Sequence, residues 1–157
     1  FALPLVSLAG SKQIGDEGEA IVYNLERKRV AVERPDLLGL VRIVSNDTSL
    51  GFDIQSVFDS GGKKYIEVKT TKRSFEPDFS ATSFFGISSN AWATAEQFGD
   101  SYFIARVIIA REKISVFVIR NPYEKFQNEK IRLLPLEYRL TYTVDSGEYL
   151  VKDYINT

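Results

Sequence analysis

The sequence contains no cysteine and no histidine. Without thiols it has no disulfide framework and no thiolate metal site. Without imidazole it has no Ser-His or Cys-His nucleophile relay and no histidine-ligated zinc. Any chemistry therefore falls to carboxylates, lysine and a hard, oxygen-loving metal. An excess of one charge is missing too: 20 Lys and Arg stand against 21 Asp and Glu, a net charge of −1. No global field attracts a polyanion, so an anion site must be a local patch. No apolar run approaches the ~18 residues of a membrane span, and no signal-peptide pattern opens the chain. The expectation is a cytoplasmic protein with no membrane partner. The first residue is Phe1 in place of Met, which points to a piece of a longer polypeptide or to processing.

The 157 residues are 44% hydrophobic and 26% charged, which describes one globular domain with a single core. There is no repeat, low-complexity stretch or long linker. The organisation expected is a single domain over 1–157. An arm or linker, apolar and irregular with Pro4 and Gly10, covers 1–12, the core runs from about 14 to 120, and a C-terminal β extension covers 121–157.

Helical spacing of Ile21, Val22 and Leu25 predicts a helix from Ile14 to about Lys28. Its acids (Asp16, Glu17, Glu19) come early and its basic residues late, which suits the helix dipole. Gly51–Phe58 and Lys63–Thr70 alternate at period two around Asp59-Ser60-Gly61-Gly62, a β-hairpin. A polar loop follows over Thr71–Thr82, then a short strand at Phe84–Ile87. Ser88 or Ser89 caps a second helix that Gly99 stops. Strands are expected at Ser101–Ile109 and Lys113–Arg120, a turn at Asn121-Pro122-Tyr123, and a last hairpin from Tyr138–Val144 and Glu148–Tyr154. The fold class is mixed α/β (α+β), with one central sheet and few helices.

The first hairpin concentrates the chemistry. Period two puts Tyr65, Glu67 and Lys69 on one face of their strand and Ile66 and Val68 on the other. If the turn centres near Ser60, Asp53 lies opposite Glu67, with the two Cβ atoms about 5 Å apart. Two carboxylates that close repel unless a cation sits between them, the arrangement that Mg²⁺ or Mn²⁺ favours. Lys69 can orient an attacking water or balance developing phosphorane charge. The plain alternative is a solvated face of cross-strand ion pairs. Against it, Ile66 and Val68 mark a central strand, where a charged face needs a reason.

Lys63, Lys64, Lys69, Lys72 and Arg73 surround this strand against the single acid Glu67. They make a local basic patch suited to phosphates, with Lys63, Lys64, Lys72 and Arg73 as candidate nucleic-acid contacts. Strand-edge protection and solubility are the competing explanations, weighing most for Lys63 and Lys64. Phe75, Phe79, Phe84 and Phe85 interleave here; Phe84 and Phe85 are expected in the core, as is Trp92.

The run Gly-Phe-Asp-Ile, a hairpin, then Tyr-Ile-Glu-Val-Lys-Thr resembles the PD-(D/E)xK nuclease core, and within it the NO VEIN C-terminal-like domain. Gly18-Glu19 opening a helix, Ser-x-Asn-x-Trp with Ala95, and Gly99-Asp100-Ser101-Tyr102 extend the similarity over Gly15–Val118. The resemblance implies a restriction-endonuclease-like core, with Asp53, Glu67 and the Val68 carbonyl as metal ligands. It makes Lys69 the catalytic lysine, and Glu19 the helical carboxylate that completes the site directly or through water. For Glu19 a dipole-favoured charge near a helix start is the competing explanation. The pattern departs at Ala91, where the family usually carries an acid, which leaves open lost activity, an introduced substitution or divergence.

The function expected is a Mg²⁺- or Mn²⁺-dependent endonuclease hydrolysing phosphodiester bonds in DNA, with RNA left open, inside a restriction or defence system. Its implied partners are a helicase, ATPase or other subunit of a larger protein, and a second copy if both strands are cut. The alternatives are an inactive nuclease-fold module that binds nucleic acid or partner proteins, and a plain interaction domain of a defence complex.

Overall fold

A computed structural model describes residues 6–73, 83–137, 139–141 and 143–150. Helix α1 runs from Val6 to Glu33. It begins inside the stretch expected as an irregular arm because Pro4 lies before its start and Gly10 alone costs a helix only about 1 kcal/mol. Asp16, Glu17 and Glu19 therefore sit within the helix, and its first turn holds no acid. The dipole explanation for Glu19 does not hold. Gly18, Val22, Glu26 and Val30, four residues apart, form the row turned to the sheet; Gly18, Val22 and Val30 are buried, whereas Leu25 is half exposed.

A 3₁₀ turn at Pro35–Leu40 leads to β1 (Arg42–Ile43), neither of them anticipated. Then follow β2 (Ile54–Val57), β3 (Lys63–Lys72), α2 (Ser89–Phe98), β4 (Tyr102–Ile109) and β5 (Ile114–Arg120). They build a five-stranded mixed sheet in sequential order, antiparallel except between β3 and β4. That parallel pair requires a crossover, and α2 lies in it. Val22 of α1 packs with Ile54, Ile66 and Val68 on one face, and Ala95 of α2 packs with Phe52, Tyr102 and Ile104 on the other. The mixed α/β class with few helices is what the sequence patterning implied.

Several expectations change. Pairing with β4 carries β3 through Lys72, two residues into the expected loop; the rest of that loop, 74–82, lies outside the described residues. Phe84–Ile87 forms no strand, and Phe84 is 90% exposed instead of buried. Asn121-Pro122 opens a short helix, α3 (Pro122–Gln127), whose cap is the Asn121 side chain accepting from the Glu124 N–H; proline at the first helical turn starts a helix as readily as a turn. The C-terminal hairpin is absent among the described residues: 139–141 and 143–150 carry no strand, and Val144–Ser146 makes a single 3₁₀ turn. Leu140, Val144, Tyr149 and Leu150 are all exposed, and alternation with no face to bury has nothing to hold a strand. Tyr138, Tyr142 and 151–157 lie outside the described residues. Among those described, no helix is long and apolar enough to cross a membrane.

Candidate functional site

The β2–β3 ladder pairs Ile54 with Ile66 and Gln55 with Tyr65. Continued by one position, this register sets Asp53 across from Glu67, as a turn centred at Ser60 requires. The Asp53 N–H donates to the Ile66 carbonyl at 2.9 Å, and Asp53 Oδ2 accepts the Val68 N–H at 2.8 Å. Ile66 and Val68 belong to the core under α1, while Tyr65 stacks on Phe98 of α2. Glu67 and Lys69 therefore project on the α2 side, where Lys69 Nζ lies 3.1 Å from Glu67 Oε1.

Glu67 is 9% exposed. Burial first, then the Asp53 charge, pushes its carboxyl up to about 7, outweighing the Lys69 ammonium. Asp53 is raised as well: burial outweighs the Val68 N–H and the charge of Lys69. Glu19 approaches from α1, and its Oε2 accepts the Ser45 hydroxyl at 2.6 Å. Burial raises its pKa, Ser45 opposes, and Asp53 and Asp16 add to the rise. Gly18 allows the helix this close, since a Cβ there would stand 1.7 Å from Thr70 Oγ1 on β3.

The loop carrying Asp53 is held from α2 and β4. The Tyr102 hydroxyl, on a fully buried ring, donates to the Gly51 carbonyl at 2.7 Å. Gly51 has φ +74°, and a Cβ on it would meet Thr94 Oγ1 at 2.2 Å. Asn90 Nδ2 donates to the carbonyls of Thr48 (3.2 Å) and Ser49 (3.1 Å). Within Ser-x-Asn-x-Trp, Ser88 caps α2 and Asn90 clamps this loop. Trp92 is only partly buried and packs edge-on against Phe126 of α3. Ala91 is buried at 2% exposure. Ser45 and Thr94 carried no signal in the sequence, and Tyr102 entered only as part of the Gly99-Asp100-Ser101-Tyr102 resemblance, because their roles arise only where distant segments meet.

Among the described residues no three Asp or Glu side chains close into a ready cation cage. The arrangement is a facing pair, Asp53 and Glu67, with Glu19 set apart on Ser45. Its chemistry nevertheless fits a hard dication: all donors are oxygen, and burial leaves both paired carboxyls short of positive charge even with Lys69 in place.

Period two splits the expected basic patch. Lys64 turns to α1, where its Nζ lies 2.9 Å from Glu26 Oε1 and 4.5 Å from the centre of the Phe103 ring. Lys72 reaches Glu17 of α1 at 3.0 Å. Lys63 is exposed at the hairpin end. Arg73 lies just past β3, its N–H on the Ile109 carbonyl at 2.9 Å. Sequence reading overlooked Arg106, which the β3–β4 register places beside Lys69. Phe75 and Phe79 lie outside the described residues.

A profile of the family described as Protein NO VEIN, C-terminal, matches residues 18–119. The chain is similar to "Protein NO VEIN" of Arabidopsis thaliana, 30% identical over 130 residues that cover 82% of this chain and 4% of that protein. It is also similar to "Protein NO VEIN-LIKE" of the same plant, 29% identical over 130 residues that cover 82% of this chain and 18% of that protein. The chain thus spans a small part of these relatives' length. No solved structure matches it.

Proposed function

Since the chain belongs to the NO VEIN C-terminal family, we propose that in this protein the family's domain is a metal-dependent phosphodiester hydrolase of the PD-(D/E)xK type, acting on DNA. The observation that carries this reading is the hairpin register, which faces Asp53 with Glu67 while Lys69 stands 3.1 Å from Glu67 on the same side. Asp53, Glu67 and the Val68 carbonyl would hold Mg²⁺ or Mn²⁺. When bound, that ion supplies Lewis-acid polarisation of the phosphate and a more acidic water. Lys69, 3.1 Å from Glu67, orients the water and offsets negative charge developing on the phosphate. Glu19, anchored by Ser45, adds a third carboxylate within water-mediated reach. The domain works as the cutting part of a larger protein in a restriction or defence setting, beside a helicase or ATPase, and as a pair of copies when both strands are cut. That setting rests on analogy with the family that the motifs resemble.

Calorimetric titration of Mn²⁺ into the wild type and Glu67→Ala, followed by plasmid nicking with the same samples, tests the reading. Stoichiometric binding and metal-dependent nicking, both lost in the variant, are expected. Wild-type protein that binds no Mn²⁺ with or without DNA overturns it.

Ala91 favours a second reading, a nuclease-fold module that binds nucleic acid or partner proteins without cutting. That module binds DNA in a salt-dependent way, and Glu67→Ala leaves the affinity unchanged.

A further inference from the structure

Lys64, Lys69, Lys72, Arg29 and Arg34 each reach a carboxylate, but among the described residues no carboxylate pairs with Arg106 or Arg73. Arg106 stands on β4 directly beside Lys69 of the parallel β3, so its side chain leaves the sheet on the same face as Glu67 and Lys69. Its guanidinium carbon lies 5.4 Å from the centre of the Phe85 ring, and its Nε is buried with no hydrogen-bond partner among the described residues. Arg73 is pinned past the end of β3 by its N–H on the Ile109 carbonyl. It is near enough that, after burial, its charge is what further weakens the hold of Arg106 on its proton.

A buried Nε–H that finds no acceptor among the described residues, on an arginine that feels a second positive charge, calls for an acceptor from beyond them. An aromatic ring against the guanidinium leaves its edge donors to meet that acceptor. The planar fork of arginine matches two oxygens of a phosphate, which the point charge of lysine does not. We infer that Arg106 and Arg73 form, beside Lys69, the docking site for a backbone phosphate of the DNA substrate. The inference rests on the hydrolase reading for the identity of the polymer alone; the site itself is read from its own geometry. It places the phosphate-binding cations on the α2 face with the carboxylates, and not with Lys64 and Lys72 on the α1 face.

The test uses the arginine Nε–H resonances of the ¹⁵N-labelled chain in EDTA at low salt, with the Arg106 signal assigned by its loss in Arg106→Lys. Inorganic phosphate and a short DNA duplex are titrated separately. Both are expected to shift the Arg106 signal. In fluorescence anisotropy, Arg106→Gln should weaken duplex binding about tenfold and lower the slope of log K against log salt by about one. No shift with either probe overturns the site. A shift with phosphate but not with duplex overturns the assignment to a polymer backbone. Duplex binding through Arg106 without any Mn²⁺-dependent cleavage leaves the site standing and removes the hydrolase reading. Cleavage by Arg106→Gln at the wild-type rate, with an unmoved Arg106 signal, does the reverse.

Discussion

Asp53 Oδ2 accepts the Val68 N–H at 2.8 Å, so a carboxylate on one arm of the hairpin is tied to the peptide between Glu67 and Lys69 on the other. The bond fixes the spacing of the three groups and holds one oxygen of Asp53 in place.

Asp53→Asn and Asp53→Ala should therefore differ. Asparagine keeps an acceptor for Val68 and removes the charge that pushes Glu67 upward, so stability in EDTA should stay within about 0.5 kcal/mol of wild type. Alanine strands a buried N–H and should cost about 1–3 kcal/mol. Urea denaturation at neutral pH compares them, and equal losses would refute a structural part for this bond.

Buried Glu67 and partly buried Glu26 should give stability opposite slopes with pH. Glu67 rises from 4.5 to about 7 on folding, so between those values the native state holds more protons than the unfolded chain. Stability should fall as pH rises through that window, by about 3 kcal/mol at most. Glu26 behaves the other way: burial raises it, but Arg29, Ser56 and Lys64 together bring it below its ordinary value. Its contribution is present above 4.5 and lost as pH falls through the native value. Denaturation series in EDTA should show Glu67→Gln flattening the decline toward pH 7 and Glu26→Gln flattening the loss in acid. An unchanged upper slope in Glu67→Gln would contradict the raised carboxyl.

Lys64 should matter to the fold and not to DNA. Its side chain is 14% exposed and that of Glu26 12%, so Lys64→Ala takes one partner from Glu26, which keeps Arg29 and Ser56, at a cost of about 1–2 kcal/mol. Duplex affinity should be unchanged by anisotropy. Unaltered stability with weakened DNA binding would return Lys64 to the nucleic-acid surface.

Gly18→Ala should strike the crossing of α1 over β3. The new methyl would lie 1.7 Å from Thr70 Oγ1 and 2.8 Å from Thr70 Cβ. Overpacking of this kind costs about 1–3 kcal/mol, outweighing the gain in helix propensity of about 1 kcal/mol. Thr70→Ala should rescue it only in part, because the Cβ contact remains. Thermal melts of the single and double variants decide the matter, and a Gly18→Ala protein more stable than wild type would remove the close approach.

Much of the site was legible because β-structure has period two. Alternation in GFDIQSVF and KKYIEVKT, with turn residues between, sets Asp53 opposite Glu67 and Lys69 beside it without any tertiary information. The same period, applied to the basic residues, divides Lys64 and Lys72 from Lys69 and Arg73. Their proximity along the chain hid that division, since charge counted by sequence distance ignores which face a strand presents.

Other features depended on contacts between segments far apart in sequence. Helix α1 extends to Val6 and Glu33 because nothing inside it forbids a helix and its row at spacing four has a sheet to lie on. The described residues of the alternating segments near the C-terminus lack such a face and form no strand. Arg106 is one polar residue in an apolar strand until the parallel register sets it beside Lys69. Composition and periodicity determined the absence of thiol and imidazole chemistry, the mixed α/β class and the Asp53–Glu67–Lys69 constellation. Burial decided the rest. It raised the Asp53 and Glu67 carboxyls and paired Lys64 with Glu26 of α1, while packing left Arg106 and Arg73 with no carboxylate among the described residues, because desolvation and charge proximity exist only once the chain has packed.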